Sequence, residues 1–331
     1  MFNKILVLFA TVIPVVCMLA IPTNAEDASE GYFDALVKIT ATIPSEARTS
    51  STLGAERQGT GVVLDSHGLV VTAGYIILEA NSVSIKTSAG IEVPAKVVAY
   101  DDGTGLGVIR AIQPLNVRPL ELGDSRELQQ KQRVLVAAHG GINNAIGAYV
   151  VDRRDYAGYW EYLLNDAIFT WPPSPLFGGA ALINNKGKLV GIGSLLVPNA
   201  VEEEGAVVPG NMFIPIDSLK AVLGELIAEG RSFNRTRPWL GLYSEMIRGR
   251  LFVARVAKNG PAWIAGIRTG DMVLGVAGKP VTNLKEFYRT IWALGDPGVE
   301  VPLLVLRGNE PVKTTITSMD RYEWLQLKPT Y

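Results

Sequence analysis

The segment GVVLDSHGLVVT, residues 61–72, decides the fold. It places short apolar runs on both sides of the polar stretch Asp65–Gly68. Valine favours extended backbone, and a short polar turn that ends in glycine is typical of a hairpin. The segment therefore predicts two antiparallel strands joined by a tight turn.

Short apolar runs of the same kind recur along the chain on the C-terminal side of this hairpin. Glycine, asparagine and aspartate stand between them, as expected for tight turns. This regular spacing predicts an antiparallel sandwich or barrel. The further predicted strands are residues 82–87, 93–99, 107–111, 134–138, 148–151, 167–170, 180–183 and 189–192.

Length and charge bound the domain count and the class of partner. The chain has 331 residues, of which 48% are hydrophobic and 19% are charged, which is enough for two domains of ordinary size. Its 31 basic and 32 acidic side chains give a net charge of -1. Without a broad basic field, nucleic acid is not expected as the main partner.

The N-terminus resembles a secretory signal. Lys4 precedes the apolar run Ile5–Ile21, and Thr23–Ala25 offers a small-residue cleavage site, so residues 1–25 are predicted to be removed on export. The alternative is an uncleaved inner-membrane anchor. Because Cys17 is the one cysteine, cleavage would exclude disulfides and thiolate metal sites.

The hydrophobic period changes after the predicted strands. Apolar residues of Ile216–Glu229 share one helical face, and Gly230 stands where a helix ends. A polar linker is predicted for residues 231–236, followed by a second block of strands with one helix near Leu284–Leu294.

Five landmarks lie before the linker: GTGVV at 59–63, VVTAG at 70–74, residues 101–109, LINNKGKLVGI at 182–192 and FIPI at 213–216. In this order they resemble the HtrA (DegP-like) family of exported trypsin-fold proteases, which implies a periplasmic location. The resemblance implies a mainly β fold, a trypsin-like double six-stranded β-barrel followed by a PDZ domain. The implied domains are a signal peptide (1–25), a trypsin-like domain (26–230), a linker (231–236), a PDZ domain (237–320) and a C-terminal tail (321–331).

The three catalytic positions implied by this resemblance hold other residues. Tyr75 stands at the histidine position, Gly105 at the aspartate position and Gly178 at the serine position. A serine nucleophile needs an adjacent base, and the base needs a third group that fixes its tautomer. Glycine has no oxygen to attack with, and a tyrosine titrates near pH ~10. We therefore expect no catalytic residues and a pseudoprotease.

No other residue is placed by the sequence so that it could replace the missing catalytic histidine, aspartate or serine. Ser174 lies in the proline-rich segment WPPSP, which offers few N–H donors for an oxyanion hole. His67 and His139 are predicted to lie in turns or loops, and Asp101 and Asp102 to be solvated or capping residues. No metal site or cofactor is expected, because the acidic run Glu202–Glu204 is interpreted as an exposed loop.

The C-terminal block resembles an HtrA-type PDZ domain. Residues 259–271, NGPAWIAGIRTGD, follow the pattern GxPAxxAGLxxGD, and VAGKPV at 276–281 continues it. The resemblance implies that an extended peptide adds to the strand edge near Leu242–Glu245 while loop amides hold its terminal carboxylate. The candidate peptide-binding residues are Trp239, Leu240, Gly241, Leu242, Phe287 and Ile291, with Tyr288 beside them.

Other aromatic residues and one segment carry weaker expectations. Trp263 and Trp292 are predicted to be packing residues. The pair Tyr32-Phe33 suggests a homotrimer by analogy with relatives, and Pro44–Arg57 is interpreted as an inserted surface loop.

The sequence thus predicts an exported, non-catalytic protein that binds protein or peptide C-termini, or a dedicated complex, as an adaptor, assembly subunit or holdase. Two alternatives stay open. One is an active HtrA-type serine endopeptidase in envelope protein quality control. The other is a purely structural subunit of an envelope complex.

Overall fold

The computed structural model describes residues 31–201, 207–232 and 236–327. The predicted signal segment and the acidic run Glu202–Glu204 lie outside the described residues. Two closed six-stranded barrels are followed by a smaller β domain. The predicted mainly β architecture, a double barrel followed by a second domain, is therefore confirmed.

The first barrel grows out of the hairpin at residues 61–72. The Asp65 carboxylate accepts the N–H groups of His67 (2.8 Å) and Leu69 (2.9 Å), and Gly68 takes a positive φ of 75°. These contacts close the turn. The strands, in the closed order β1-β2-β3-β6-β5-β4, are β1 (Leu36–Thr42), β2 (Glu56–Val63), β3 (Leu69–Ala73), β4 (Ser82–Lys86), β5 (Glu92–Asp101) and β6 (Leu106–Ala111).

The second barrel closes in the order β10-β11-β12-β9-β8-β7. Its longest strand pair is the β8–β9 hairpin, which remains paired as far as Gly158 and Tyr162. The tip of this hairpin therefore consists of Tyr159–Glu161. The strands are β7 (Arg133–Ala137), β8 (Ala145–Gly158), β9 (Tyr162–Trp171), β10 (Ala181–Ile183), β11 (Leu189–Val197) and β12 (Gly210–Pro215).

The C-terminal domain is a sheet of order β13-β14-β15-β17-β18, with β16 paired to β15. Its strands are β13 (Leu242–Ile247), β14 (Arg250–Val256), β15 (Met272–Val276), β16 (Lys279–Pro280), β17 (Glu300–Arg307) and β18 (Glu310–Thr317). The helices named for the chain are α1 (Ser50–Leu53), α2 (Gly74–Ile77), α3 (Ile216–Lys220), α4 (Leu223–Glu229), α5 (Pro261–Ile264), α6 (Leu284–Trp292) and α7 (Arg321–Leu325).

Three local expectations differ from the structure. The helix predicted over Ile216–Glu229 is divided into α3 and α4, because Val222 leaves helical geometry at φ -125°; Gly230 does end the second helix, at φ 73°. The predicted loop Pro44–Arg57 contains α1 and the first two residues of β2. The predicted tail contains α7, which is anchored to the first barrel.

Candidate functional site

The three positions assigned by resemblance meet between the two barrels. Tyr75 lies in α2 directly after β3, Gly105 precedes β6, and Gly178 precedes β10. The Gly105 carbonyl accepts the Gly74 N–H at 2.8 Å, and a Cβ built on Gly178 would lie 2.8 Å from Tyr75 Oη. We call the surroundings of these three residues the inter-barrel site.

Larger side chains do not fit the inter-barrel site without movement. Gly105 has a φ of 77°, a region that non-glycine residues rarely adopt, and its Cβ would lie 3.1 Å from Tyr162 Oη. A Cβ on the neighbouring Gly179 would approach the Thr60 carbonyl oxygen to 1.9 Å. The glycines here allow close backbone approach between the barrels.

The backbone of Tyr75 is fixed by a buried arginine. The buried Arg57 guanidinium donates to the carbonyls of Tyr75 (2.7 Å) and Leu78 (3.0 Å), and thereby ties β2 to α2. Burial raises the pKa of Tyr75 to about 12. The phenol therefore keeps its proton at neutral pH and cannot act as a general base there.

One histidine does contact a hydroxyl near this site. His139 Nδ1 lies 3.0 Å from Thr60 Oγ1, and Thr60 N–H donates to the Gly178 carbonyl at 2.9 Å. The distance suits a nucleophile and its base. However, Thr60 is only 1% exposed, and its Oγ1 also accepts the His139 backbone N–H. The pair connects the barrels and presents no accessible hydroxyl to a substrate.

The other candidate residues are engaged elsewhere. Ser174 is 4% exposed, and its backbone N–H and carbonyl are bonded to the Asn211 amide. His67 is exposed in the β2–β3 turn, as predicted.

The two neighbouring aspartates have separate structural roles. Asp101 is buried and accepts the N–H (2.9 Å) and hydroxyl (2.5 Å) of Thr104, which caps its turn. Asp102 was predicted to be solvated or capping, but it forms an ion pair with Arg321 of α7 at 2.6 Å. It therefore links the first barrel to the C-terminal helix.

The candidate carboxylate-binding loop of the C-terminal domain already holds a carboxylate. The Leu240 N–H donates to Glu161 Oε2 at 2.9 Å, and the Leu242 N–H donates to Glu161 Oε1 at 2.6 Å. Gly241 stands between them with a φ of 80°. Glu161 belongs to the tip of the β8–β9 hairpin in the second barrel, so the contact joins the two domains.

The apolar candidates next to this loop are enclosed. Phe287, Tyr288 and Ile291 are buried in a cluster with Leu240 and Leu242. The same cluster includes Leu163 of β9, which comes from the second barrel.

Trp239 directly precedes Leu240 of the candidate loop, and its backbone pairs with Met319. Its ring packs against Trp324 of α7, with the ring centroids 4.5 Å apart. A Cβ built on Gly241 would lie 3.1 Å from this ring. Trp239 therefore supports the loop and is itself buried.

Comparison with known proteins accounts for both domains. A model of the trypsin-like peptidase domain matches residues 59–192, and a model of the PDZ domain matches residues 238–317. A probable periplasmic serine endoprotease DegP-like of Pseudomonas putida is 25% identical over 284 residues, which is 81% of this chain. The chain is similar to DegP-like serine endoproteases.

Further relatives and solved structures are similar to this chain over most of its length. The serine protease Do-like HtrA of Lactobacillus helveticus is 27% identical over 266 residues, covering 71% of this chain and 62% of that protein. The chain spans 57% of the length of the Pseudomonas relative. In the solved structures, the serine endoprotease from Yersinia pestis matches at 23% identity and a TM-score of 0.53, with 91% of this chain and 99% of that chain covered.

A second solved structure, the HtrA-type protease AlgW with a decapeptide, is 19% identical with a TM-score of 0.53 and covers 89% of this chain and 98% of that chain. These likenesses, together with the two domain models, establish the fold of the chain as a trypsin-like domain followed by a PDZ domain.

The sequence did not single out the residues that connect the two domains. Glu161 and Arg321 lie outside every motif, and Arg57 was placed in a surface loop. Glu161 carries one local signal, a short polar tip between two apolar strands, but that signal does not identify its partner 79 residues away.

Two predictions about aromatic residues have different outcomes. Trp292 packs as predicted, with Arg237 over its ring at 4.0 Å and Tyr288 stacked beside it. Trp263 was predicted to pack, which is wrong: it is 50% exposed, because it lies on the outer side of the short helix α5.

The homotrimer suggested by Tyr32-Phe33 stays a prediction. Phe33 is buried in the core of its own chain, and a Cβ built on Gly187 would lie 2.2 Å from Tyr32 Oη. In the part of the chain that the structure describes, no group of three histidine, cysteine or acidic side chains is arranged to hold a metal. None of the helices in those ranges is long and apolar enough to span a membrane.

Proposed function

We propose that this HtrA-like chain is an exported binding protein without peptidase activity, which acts as an adaptor, assembly subunit or holdase. The observation that carries the proposal is the make-up of the inter-barrel site. Tyr75 and Gly178 face each other there, with Gly105 alongside. A glycine has no nucleophilic atom in its side chain, and a protonated phenol does not replace an imidazole base.

The binding role is assigned to the PDZ domain. Leu240, Gly241 and Leu242 arrange their backbone around a carboxylate, and β13 offers an edge on which an extended peptide can pair. The relative AlgW was solved with a decapeptide, which supports peptide ligands for this chain as well. Export is supported by the signal-like N-terminus and by relatives that are named periplasmic.

A direct activity assay tests the absence of catalysis. The purified mature chain is incubated with fluorescent unfolded casein and, separately, with a fluorophosphonate probe, with trypsin as the positive control. We expect no cleavage and no labelled serine.

The matched variant is Ser174→Ala, which removes the serine nearest in sequence to Gly178, the position assigned to the catalytic serine. If the chain cleaves casein and labels at one serine, and if both signals disappear when that serine is replaced, the active-endopeptidase alternative is correct and the proposal fails.

A further inference from the structure

We propose that Glu161 is an internal ligand of the PDZ carboxylate-binding loop, so that peptide C-termini bind this domain only in competition with the β8–β9 hairpin. The inference rests on the proposed peptide-binding function. It names the competitor that a partner must displace, which is a segment of this chain.

The carboxylate of Glu161 has the contacts expected of a terminal carboxylate. Its two oxygens accept separate N–H groups, from Leu240 at 2.9 Å and from Leu242 at 2.6 Å. Successive backbone amides around a positive-φ glycine form a concave anion site. Glu161 is only 6% exposed, so no free carboxylate can reach these amides while the side chain is in place.

The backbone of the hairpin also occupies the strand edge. The Tyr159 carbonyl accepts the N–H of Ser244 in β13 at 2.9 Å. A peptide that adds to a sheet edge accepts hydrogen bonds from such amides. The hairpin tip therefore meets both the loop and the first part of the edge strand.

An apolar side chain accompanies the carboxylate. Leu163 is buried in the cluster formed by Leu242, Phe287 and Ile291. Side-chain pockets beside the carboxylate loop give such grooves their specificity, so the hairpin provides an apolar residue as well as a charge. A competing peptide should accordingly end in an apolar residue with a free carboxylate.

Further contacts hold the hairpin tip in this position. The Tyr288 hydroxyl donates to the Gly158 carbonyl at 2.7 Å and accepts the Glu161 N–H at 3.2 Å. Glu161 itself has a φ of 58°, in the left-handed region that is unfavourable for a non-glycine residue. The hydrogen bonds of Glu161 offset this strain. Such backbone strain is expected where a side chain is held in a specific site.

The test measures peptide affinity in Glu161→Ala and in the wild-type chain. The probe is the fluorescein-labelled peptide Gly-Ser-Gly-Ser-Tyr-Val-Leu, with a free C-terminal carboxylate or with a C-terminal amide, followed by anisotropy. We expect the free acid to bind Glu161→Ala at least about tenfold more tightly than wild type, since the competing state is lost. The amide should gain little. The control is Asp166→Asn, which removes an exposed carboxylate from the same barrel and should leave affinity unchanged.

Hydrogen exchange of the segment 238–245 separates this inference from the proposed function. If exchange is faster in Glu161→Ala but the free acid does not bind, the internal contact in wild type is supported and peptide binding is refuted. Unchanged exchange, with equal affinity of wild type and Glu161→Ala for the free acid, would overturn the internal ligand and leave peptide binding standing.

Discussion

Single side chains in this protein change their acid–base behaviour because they are buried between the barrels or between the two domains. Glu161 and Tyr75 both lie in such places, and burial raises the pKa of Glu161 to about 7 and that of Tyr75 to about 12. For Glu161 the amides of the loop and the charge of Arg321 act in the opposite direction, but burial outweighs them. The carboxyl group therefore titrates near neutral pH.

This shift predicts that stability depends on pH through Glu161. The unfolded chain loses the proton near the ordinary value of 4.5 and the folded chain near 7, so the folded state binds more protons between these values. The contribution of Glu161 to the free energy of unfolding is therefore fully present below pH 4.5 and declines as the pH rises to 7. The decline amounts to about 3 kcal/mol.

Urea unfolding of wild type and Glu161→Gln between pH 4 and 8 measures this dependence. Glutamine keeps the size of the side chain and does not titrate, so the difference between the two proteins isolates Glu161 from other groups. Tyr288 of α6, whose hydroxyl contacts the Glu161 backbone, and Arg321 of α7, which interacts with Glu161 electrostatically, keep their charge states over this range. A difference that stays constant with pH would contradict the prediction.

Strands and helices are tied together around the inter-barrel site by a single buried cation. Arg57 of β2 donates to two carbonyls of the α2 segment, to the Gly54 carbonyl at 3.0 Å and to the Thr49 hydroxyl at 2.8 Å. Two of its acceptors therefore precede β2 in the sequence, and the other two follow it. Removal of the guanidinium would leave buried carbonyls without a donor.

We expect Arg57→Ala to lower the free energy of unfolding by about 3 kcal/mol, because more than one acceptor loses its partner. Denaturant unfolding measures this change. Arg110→Ala is the matched control, since the side chain of Arg110 forms a long, partly exposed ion pair with Asp65 at 3.8 Å. Equal losses for the two variants would show that the buried contacts of Arg57 do not matter.

The molecule as a whole joins its PDZ domain to both barrels. The β8–β9 hairpin reaches the PDZ loop from the second barrel. From the C-terminal side, α7 reaches the first barrel, where Arg321 pairs with Asp102 and the Tyr322 hydroxyl donates to the Tyr100 carbonyl. The PDZ domain is thus attached to each barrel by a separate contact, through Glu161 and through α7. We therefore expect the domains to unfold together.

Arg321→Ala is expected to weaken this coupling. Loss of one partner from a partly buried ion pair should cost about 2 kcal/mol and separate PDZ unfolding from barrel unfolding in calorimetry. Lys186→Ala, which removes an exposed ion pair with Glu127, is the control and should leave a single transition. A single transition in Arg321→Ala at the wild-type temperature would refute the coupling role.

The sequence by itself determined the barrel strands, the hairpin at residues 61–72, the PDZ domain and the residues that stand at the inter-barrel site. These depend on local alternation, turn residues and motif order, which are readable within short segments. Only the tertiary structure decided that Glu161 fills the PDZ loop, that Arg57 is buried behind Tyr75 and that Arg321 holds Asp102. Each of those contacts depends on how distant segments pack, because the partners of Glu161 and Arg321 lie 79 and 219 residues away in the chain.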